Sequence, residues 1–160
     1  MQLLKNYQFN HIQVLPILAD SPSFLKGSIW KSLHDVLSVL HGWGMREGQM
    51  QAVVLKNPEL LYRNLRSVQL NYRKLCEVFT KSNVFNLILS TPNVLTDEWE
   101  TTQAKINYVH GEMGVVASAI LDSSLFKHSL DQIIIRHEFL QRAGLYCKPD
   151  KHGVSKTENA

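Results

Sequence analysis

At 160 residues, with 44% apolar and 19% charged residues, the chain carries enough apolar material for a packed core and is not a disordered tract. Its 17 Lys and Arg against 14 Asp and Glu leave a net charge of +3, a mild basic bias that favours an anionic partner without requiring one. The apolar runs are short, as in Ile133-Ile134-Ile135, which excludes a membrane span, and two cysteines, Cys76 and Cys147, exclude a disulfide framework or a Cys-built zinc site.

Met1 to Phe9 has neither the Arg/Ser-rich pattern of a transit peptide nor the apolar stretch of a signal peptide. It reads as the end of an earlier connection, so the chain is expected to be the C-terminal portion of a longer protein, or a short form of one. A repeat begins directly after it. Ser21-Pro22-Ser23-Phe24-Leu25, Asn57-Pro58-Glu59-Leu60-Leu61 and Thr91-Pro92-Asn93-Val94-Leu95 share the form x-Pro-x-apolar-Leu, with prolines 36 and 34 residues apart. Ser123-Ser124-Leu125-Phe126 follows 32 residues later, with Ser124 in the proline slot.

The flanks repeat with it. Val14, Met50, Val84 and Val116 stand eight residues before each ruler position, and Leu18, Val54, Ile88 and Ile120 stand four before. That spacing marks the buried face of a helix, which the proline ends by removing an N–H and excluding its predecessor from the helical region. A longer helix follows in each copy. Its stripes are Trp30/Leu33/Leu37/Leu40, Leu65/Val68/Tyr72/Leu75, Trp99/Thr102/Ile106/Val109 and Leu130/Ile133/His137/Leu140, all at the same offsets. Gly44, Gly114 and Gly144 are expected as helix C-caps, with the polar turn Thr80-Lys81-Ser82-Asn83 in the second copy. A single unit of this kind cannot bury its own stripe, so the units must stack into an all-α array.

The run Gln51 to Leu61, together with Tyr108, Met113-Gly114, Ser129-Leu130, Arg136-His137-Glu138-Phe139-Leu140, Gly144-Leu145-Tyr146 and Pro149-Asp150-Lys151-His152-Gly153, resembles the mitochondrial transcription termination factor (mTERF) family. The resemblance covers essentially the whole chain. Ser124 in place of proline departs from it, and family members carry more repeats on the N-terminal side. It implies a right-handed α-solenoid, here an array over 1–146 and a C-terminal tail over 147–160. It also implies a monomer without cofactor or catalysis that binds nucleic acid, duplex DNA or structured RNA, in the mitochondrial matrix. The C-terminal pattern is most similar to the branch that binds ribosomal RNA and recruits an RNA cytosine methyltransferase for large-subunit assembly. Transcription termination or regulation on mitochondrial DNA is the alternative within the family.

Phosphate contacts need Lys and Arg on one face. Counting back four from the last stripe residue gives Val36, Asn71, Lys105 and Arg136, the last three forming a polar-to-basic row if successive units align. Arg63, Arg66, Arg73, Lys74, Arg142 and Lys151 complete the expected nucleic-acid set, with Glu77, Glu112 and Glu138 interrupting it. Trp30, Tyr72 and Trp99 fall on stripes and read as core, and Trp43 reads as a staple on the next helix.

None of the seven histidines forms a metal-ligand pair, no phosphate-binding glycine loop or nucleophile elbow occurs, and His137 reads as a hydrogen-bonded core residue. No metal or catalytic site is therefore expected. From a different class, a helical array can serve as a protein-interaction scaffold. Phe126, Ile134, Ile135, Leu145 and Tyr146 near its end are the expected partner contacts, because Ile134 and Ile135 lie outside the shared stripe.

Overall fold

A computed structural model describes residues 28–116, 119–120 and 124–149. Among these are six α-helices, three 3-10 turns and no strand. Helix α1 is Ser28–Gly42, α2 Glu47–Lys56, α3 Leu65–Val78, α4 Lys81–Ser90, α5 Trp99–Asn107 and α6 Leu130–Arg142. The fold class is all-α and built from the helical repeat, as the periodicity requires. The first short helix around Val14 and Leu18, the Pro22 turn, the side chain of Trp30, Ser123 and Lys151 lie outside the described residues. The chain divides into two compact units, one running to Leu75 and resuming over Leu87–Thr96, the other made of Cys76–Asn86 and the residues from Asp97.

The ruler positions build one turn three times. Pro58–Leu61, Pro92–Leu95 and Ser124–Lys127 are all 3-10 turns. Proline pushes its predecessor out of the helical region, and the two predecessors agree closely: Asn57 has φ −138° and ψ 79°, Thr91 φ −140° and ψ 76°. Each proline then occupies a first helical position, where its missing N–H costs nothing. Ser124 forms the turn without that restraint.

The ends of the long helices explain a spacing anomaly. Gly44 and Gly144 stand four residues past the last stripe residue, whereas Gly114 stands five past Val109. All three adopt positive φ, at 94°, 68° and 68°. In the first and fourth copies a Schellman pair closes the helix. Gly44 N–H donates to His41 O at 2.8 Å and Met45 N–H to Leu40 O at 3.2 Å; Gly144 N–H donates to Gln141 O at 3.1 Å and Leu145 N–H to Leu140 O at 2.9 Å. In the third copy α5 runs into a π turn, Tyr108–Glu112, where Met113 N–H donates to Tyr108 O at 3.1 Å, and the closing bond from Val115 N–H to Val109 O at 3.0 Å reaches back one residue further than those of Met45 and Leu145. The wider turn absorbs the extra residue.

The second copy differs from expectation. Only Phe79 and Thr80 separate α3 from α4, and Lys81, Ser82 and Asn83 are already the first turn of α4. Thr80 Oγ1 accepts from the Asn83 N–H at 3.4 Å, so the polar residues start a helix rather than form a loop.

In the first unit the core comprises Leu33, Leu37 and Leu40 of α1 and Val68 and Leu75 of α3, with Met50, Val53 and Val54 of α2, Leu60, Leu61, Val94 and Leu95 of the turns, and Leu87 and Ile88 of α4. Asn57, 4% exposed, ties the two proline turns together: its Nδ2 donates to Pro92 O at 3.3 Å and Thr96 Oγ1 at 2.9 Å. Trp43 lies on Tyr72 of α3, ring centroids 3.9 Å apart and 7° from parallel, a staple on the next long helix rather than on α2, which follows it in the chain. In the second unit Phe79, Val84, Ile106, Val109, Ile120, Phe126 and Ile133 are buried, with Thr102 and His137 among them.

Candidate nucleic-acid interface

The helices sort the expected basic residues into three kinds. Arg63 and Arg142 are exposed but ion-paired one turn away, to Glu59 at 2.8 Å and Glu138 at 3.1 Å. Such exposed pairs contribute little stability, and they screen the charge offered to a ligand. Arg66 and Arg73 are exposed on α3, where a separation of seven residues sets them on one face about 10 Å apart along the axis. Among the described residues neither forms an ion pair. Lys74, beside Arg73, is half-buried. Arg136 is exposed on α6, its Nη1 3.3 Å from His128 Nε2.

Lys105 requires a correction. It is 6% exposed and shares the buried side of α5 with Thr102 and Ile106. The row drawn through Asn71, Lys105 and Arg136 is therefore not a surface row. Val36 and Asn71 in the same column are also buried, at 3% and 7%, and the Asn71 amide donates to Leu95 O at 3.1 Å. The column sits three residues after one stripe position and four before another, inside the buried arc of a 3.6-residue helix. Val36 was the signal in the sequence that it belongs to the core. Only in α6 does this column open to solvent.

The expected partner residues divide as well. Ile135 is 66% and Leu145 73% exposed. Phe126 is buried at 5% and cannot present a contact, because the 3-10 turn folds it inward. Ile134 is half-buried. Tyr146 is also half-buried, and its hydroxyl donates to the Met113 carbonyl, so its role is internal. The sequence reading missed Phe139, which is 66% exposed one turn after Ile135; together with Arg136 and Leu140 these residues line a shallow apolar groove of about 400 Å³. The i, i+4 spacing of Ile135 and Phe139 off the stripe would have identified it.

His137, 3% exposed, is the core histidine its stripe position implies. Its Nδ1 is 2.9 Å from the Tyr108 hydroxyl, and its ring meets Tyr108 and Tyr146 edge-on, with centroids at 5.7 and 4.6 Å. Nε2 is buried without a hydrogen-bond partner. Burial raises the Tyr108 phenol above its ordinary value, with the carboxylates of Glu138 and Glu112 adding to the rise. Burial raises Tyr146 likewise, with Tyr108 adding. Both phenols remain protonated donors at neutral pH. From the strand-free C-terminal segment Lys148 Nζ reaches Gly111 O at 2.7 Å, covering a carbonyl that the helix end leaves open. No group of three potential metal ligands occurs among the described residues.

Over 124 residues the chain is 27% identical to a mouse (Mus musculus) protein named "Transcription termination factor 4, mitochondrial"; the match takes in 76% of this chain and 36% of that one. The chain thus spans about a third of the length of that relative. The mTERF family model matches residues 1–156, so the chain belongs to the mTERF family.

Proposed function

We propose that this chain is a non-catalytic, nucleic-acid-binding part of a regulator of mitochondrial gene expression, holding phosphates through Arg66, Arg73 and Arg136. Family membership over nearly the whole chain carries the reading. The exposure of these three arginines, with no carboxylate paired to them among the described residues, supplies the chemistry. Arg63 and Arg142 contribute less, because a phosphate must first displace Glu59 or Glu138. The name of the mouse relative supports a mitochondrial location and leaves termination on DNA as one role. Ribosomal RNA is the other, which the C-terminal pattern favours. Titrating salt against a labelled duplex and a hairpin RNA tests the binding. Three phosphate contacts give a slope of log K on log salt of about −3 for duplex DNA, and about −2 for single strands. A flat response, or none of the three substitutions to Ala reducing the slope, removes the reading. Crosslinking in cells followed by sequencing of the bound nucleic acid decides between DNA and RNA.

The apolar face of α6 favours a second activity alongside the first. Ile135 and Phe139 form an exposed pair, with Leu145 beyond the helix end, which suits a protein partner. In the ribosomal reading that partner is an RNA cytosine methyltransferase. Pull-down of the methyltransferase with Ile135→Asp and Phe139→Asp is the test; recovery equal to that of the unmodified protein excludes this face.

A further inference from the structure

Among the arginines of this chain, Arg136 has an unusual neighbour. Arg63 and Arg142 meet carboxylates, whereas Arg136 points Nη1 at an imidazole nitrogen, His128 Nε2, at 3.3 Å. A guanidinium has donors only, so Nε2 is the acceptor, and in this arrangement the imidazole is neutral with its proton on Nδ1. One N–H of Arg136 is thereby held, and the edge formed by Nε and Nη2 is left for a planar, two-oxygen acceptor.

His128 is built to hold it. The ring is half-buried, while Arg136 is exposed, so the imidazole is the more fixed member of the pair. Its backbone N–H donates to Leu125 O at 3.0 Å, closing the 3-10 turn. The next residue, Ser129, caps α6. Its Oγ accepts from the Gln132 N–H at 3.2 Å and its own N–H donates to Gln132 Oε1 at 3.2 Å. The acceptor therefore sits at a junction fixed on both sides. Nearby, Lys127 adds positive charge in the turn. Asp131 in the first helical turn forms no ion pair with Arg136.

We propose that His128 is a positioning residue for a phosphate contact by Arg136. Its neutral imidazole accepts from Nη1, restricts the long side chain to one arrangement, and turns the opposite guanidinium edge toward a phosphodiester of the bound nucleic acid. Part of the rotamer freedom that binding would otherwise freeze is already lost in the free protein. The proposal rests on the nucleic-acid reading above and adds to it a residue that touches no ligand.

The test is a double-mutant cycle on the whole chain, with His128→Ala, Arg136→Ala, the pair, and His128→Gln, whose amide oxygen restores an acceptor. Binding to a labelled random-sequence DNA duplex and to a hairpin RNA is measured across salt, with thermal melts showing that each variant folds. Arg136→Ala is expected to weaken binding and make the salt slope shallower by about 0.9 on the duplex. His128→Ala is expected to weaken binding about two- to fivefold, the range of an exposed polar contact, with the slope unchanged. The loss vanishes in the Arg136→Ala background, and His128→Gln recovers most of it. Additive losses, or full affinity in His128→Ala, overturn the positioning role and leave the nucleic-acid reading standing. Salt-independent binding by the unmodified chain overturns both.

Discussion

Asn57 shows how one side chain joins successive repeats. Its amide donors satisfy a carbonyl and a hydroxyl of the next turn, both out of water. Asn57→Ala removes the donor to the Pro92 carbonyl and leaves the Thr96 hydroxyl only its bond to Asn93 O, and the expected loss is about 1–3 kcal/mol in urea unfolding; a loss below about 0.5 kcal/mol would show that the bonds are dispensable. Tyr108 and Tyr146 set an alkaline limit. Their folded values are raised, so their contribution to stability is complete below the ordinary value of 10.0 and is lost as pH rises through the folded values. The tyrosinate absorbance that Tyr108→Phe and Tyr146→Phe remove from an alkaline titration should appear above the ordinary value. Ionisation at the ordinary value with the near-native signal intact would contradict this. Residue type alone misled at Lys105: a lysine is usually solvated, but helix phase governs where its Cβ points, and its long aliphatic stem tolerates burial that its ammonium does not seek.

Among elements, the helix ends were the most legible features of the sequence. Pro58, Pro92, the three glycines and most of the described apolar offsets correspond to observed turns, caps and buried faces, whereas Val116, expected on a buried face, is 39% exposed. The π turn was present only as a one-residue excess between Val109 and Gly114, which spacing reveals but cannot locate within the helix. Two caps make a graded prediction. At Gly144 a Cβ meets nothing within 4 Å, so Gly144→Ala pays the left-handed backbone term alone, about 1–2 kcal/mol. At Gly114 the same φ is combined with a Lys148 stem 2.9 Å from the added carbon. Gly114→Ala should therefore lower the melting temperature further and release Lys148 from Gly111. Equal melting shifts for the two variants would mean that the lysine moves aside without cost. Which arginines stay unpaired was not legible either, since that depends on whether a carboxylate falls one turn away and is itself free.

For the molecule as a whole, a net charge of +3 is small, and the nucleic-acid reading depends on placement more than on total. In the proposed reading the exposed arginines of each unit serve phosphate, and the Ile135–Phe139 pair serves a protein. They overlap at Arg136, which also lines the apolar groove. Ile135→Ser and Phe139→Ser, which remove the apolar pair without setting a carboxylate beside Arg136, should abolish partner recovery and leave duplex affinity within about twofold, since neither holds a phosphate. A parallel collapse of both activities would mean that the face serves the fold or that the two ligands share it.

The ring pair of Trp43 and Tyr72 has a use of its own. Rings so close and so nearly parallel couple their electronic transitions, which should give a near-ultraviolet dichroic band tied to the first unit, because both residues belong to it. The tyrosine absorbance that Tyr108→Phe and Tyr146→Phe remove reports on the second, set apart from Tyr62 and Tyr72 of the first. Urea unfolding at one fixed pH, recorded at the two wavelengths, would thus reveal whether the two units unfold together or in sequence, with no label attached.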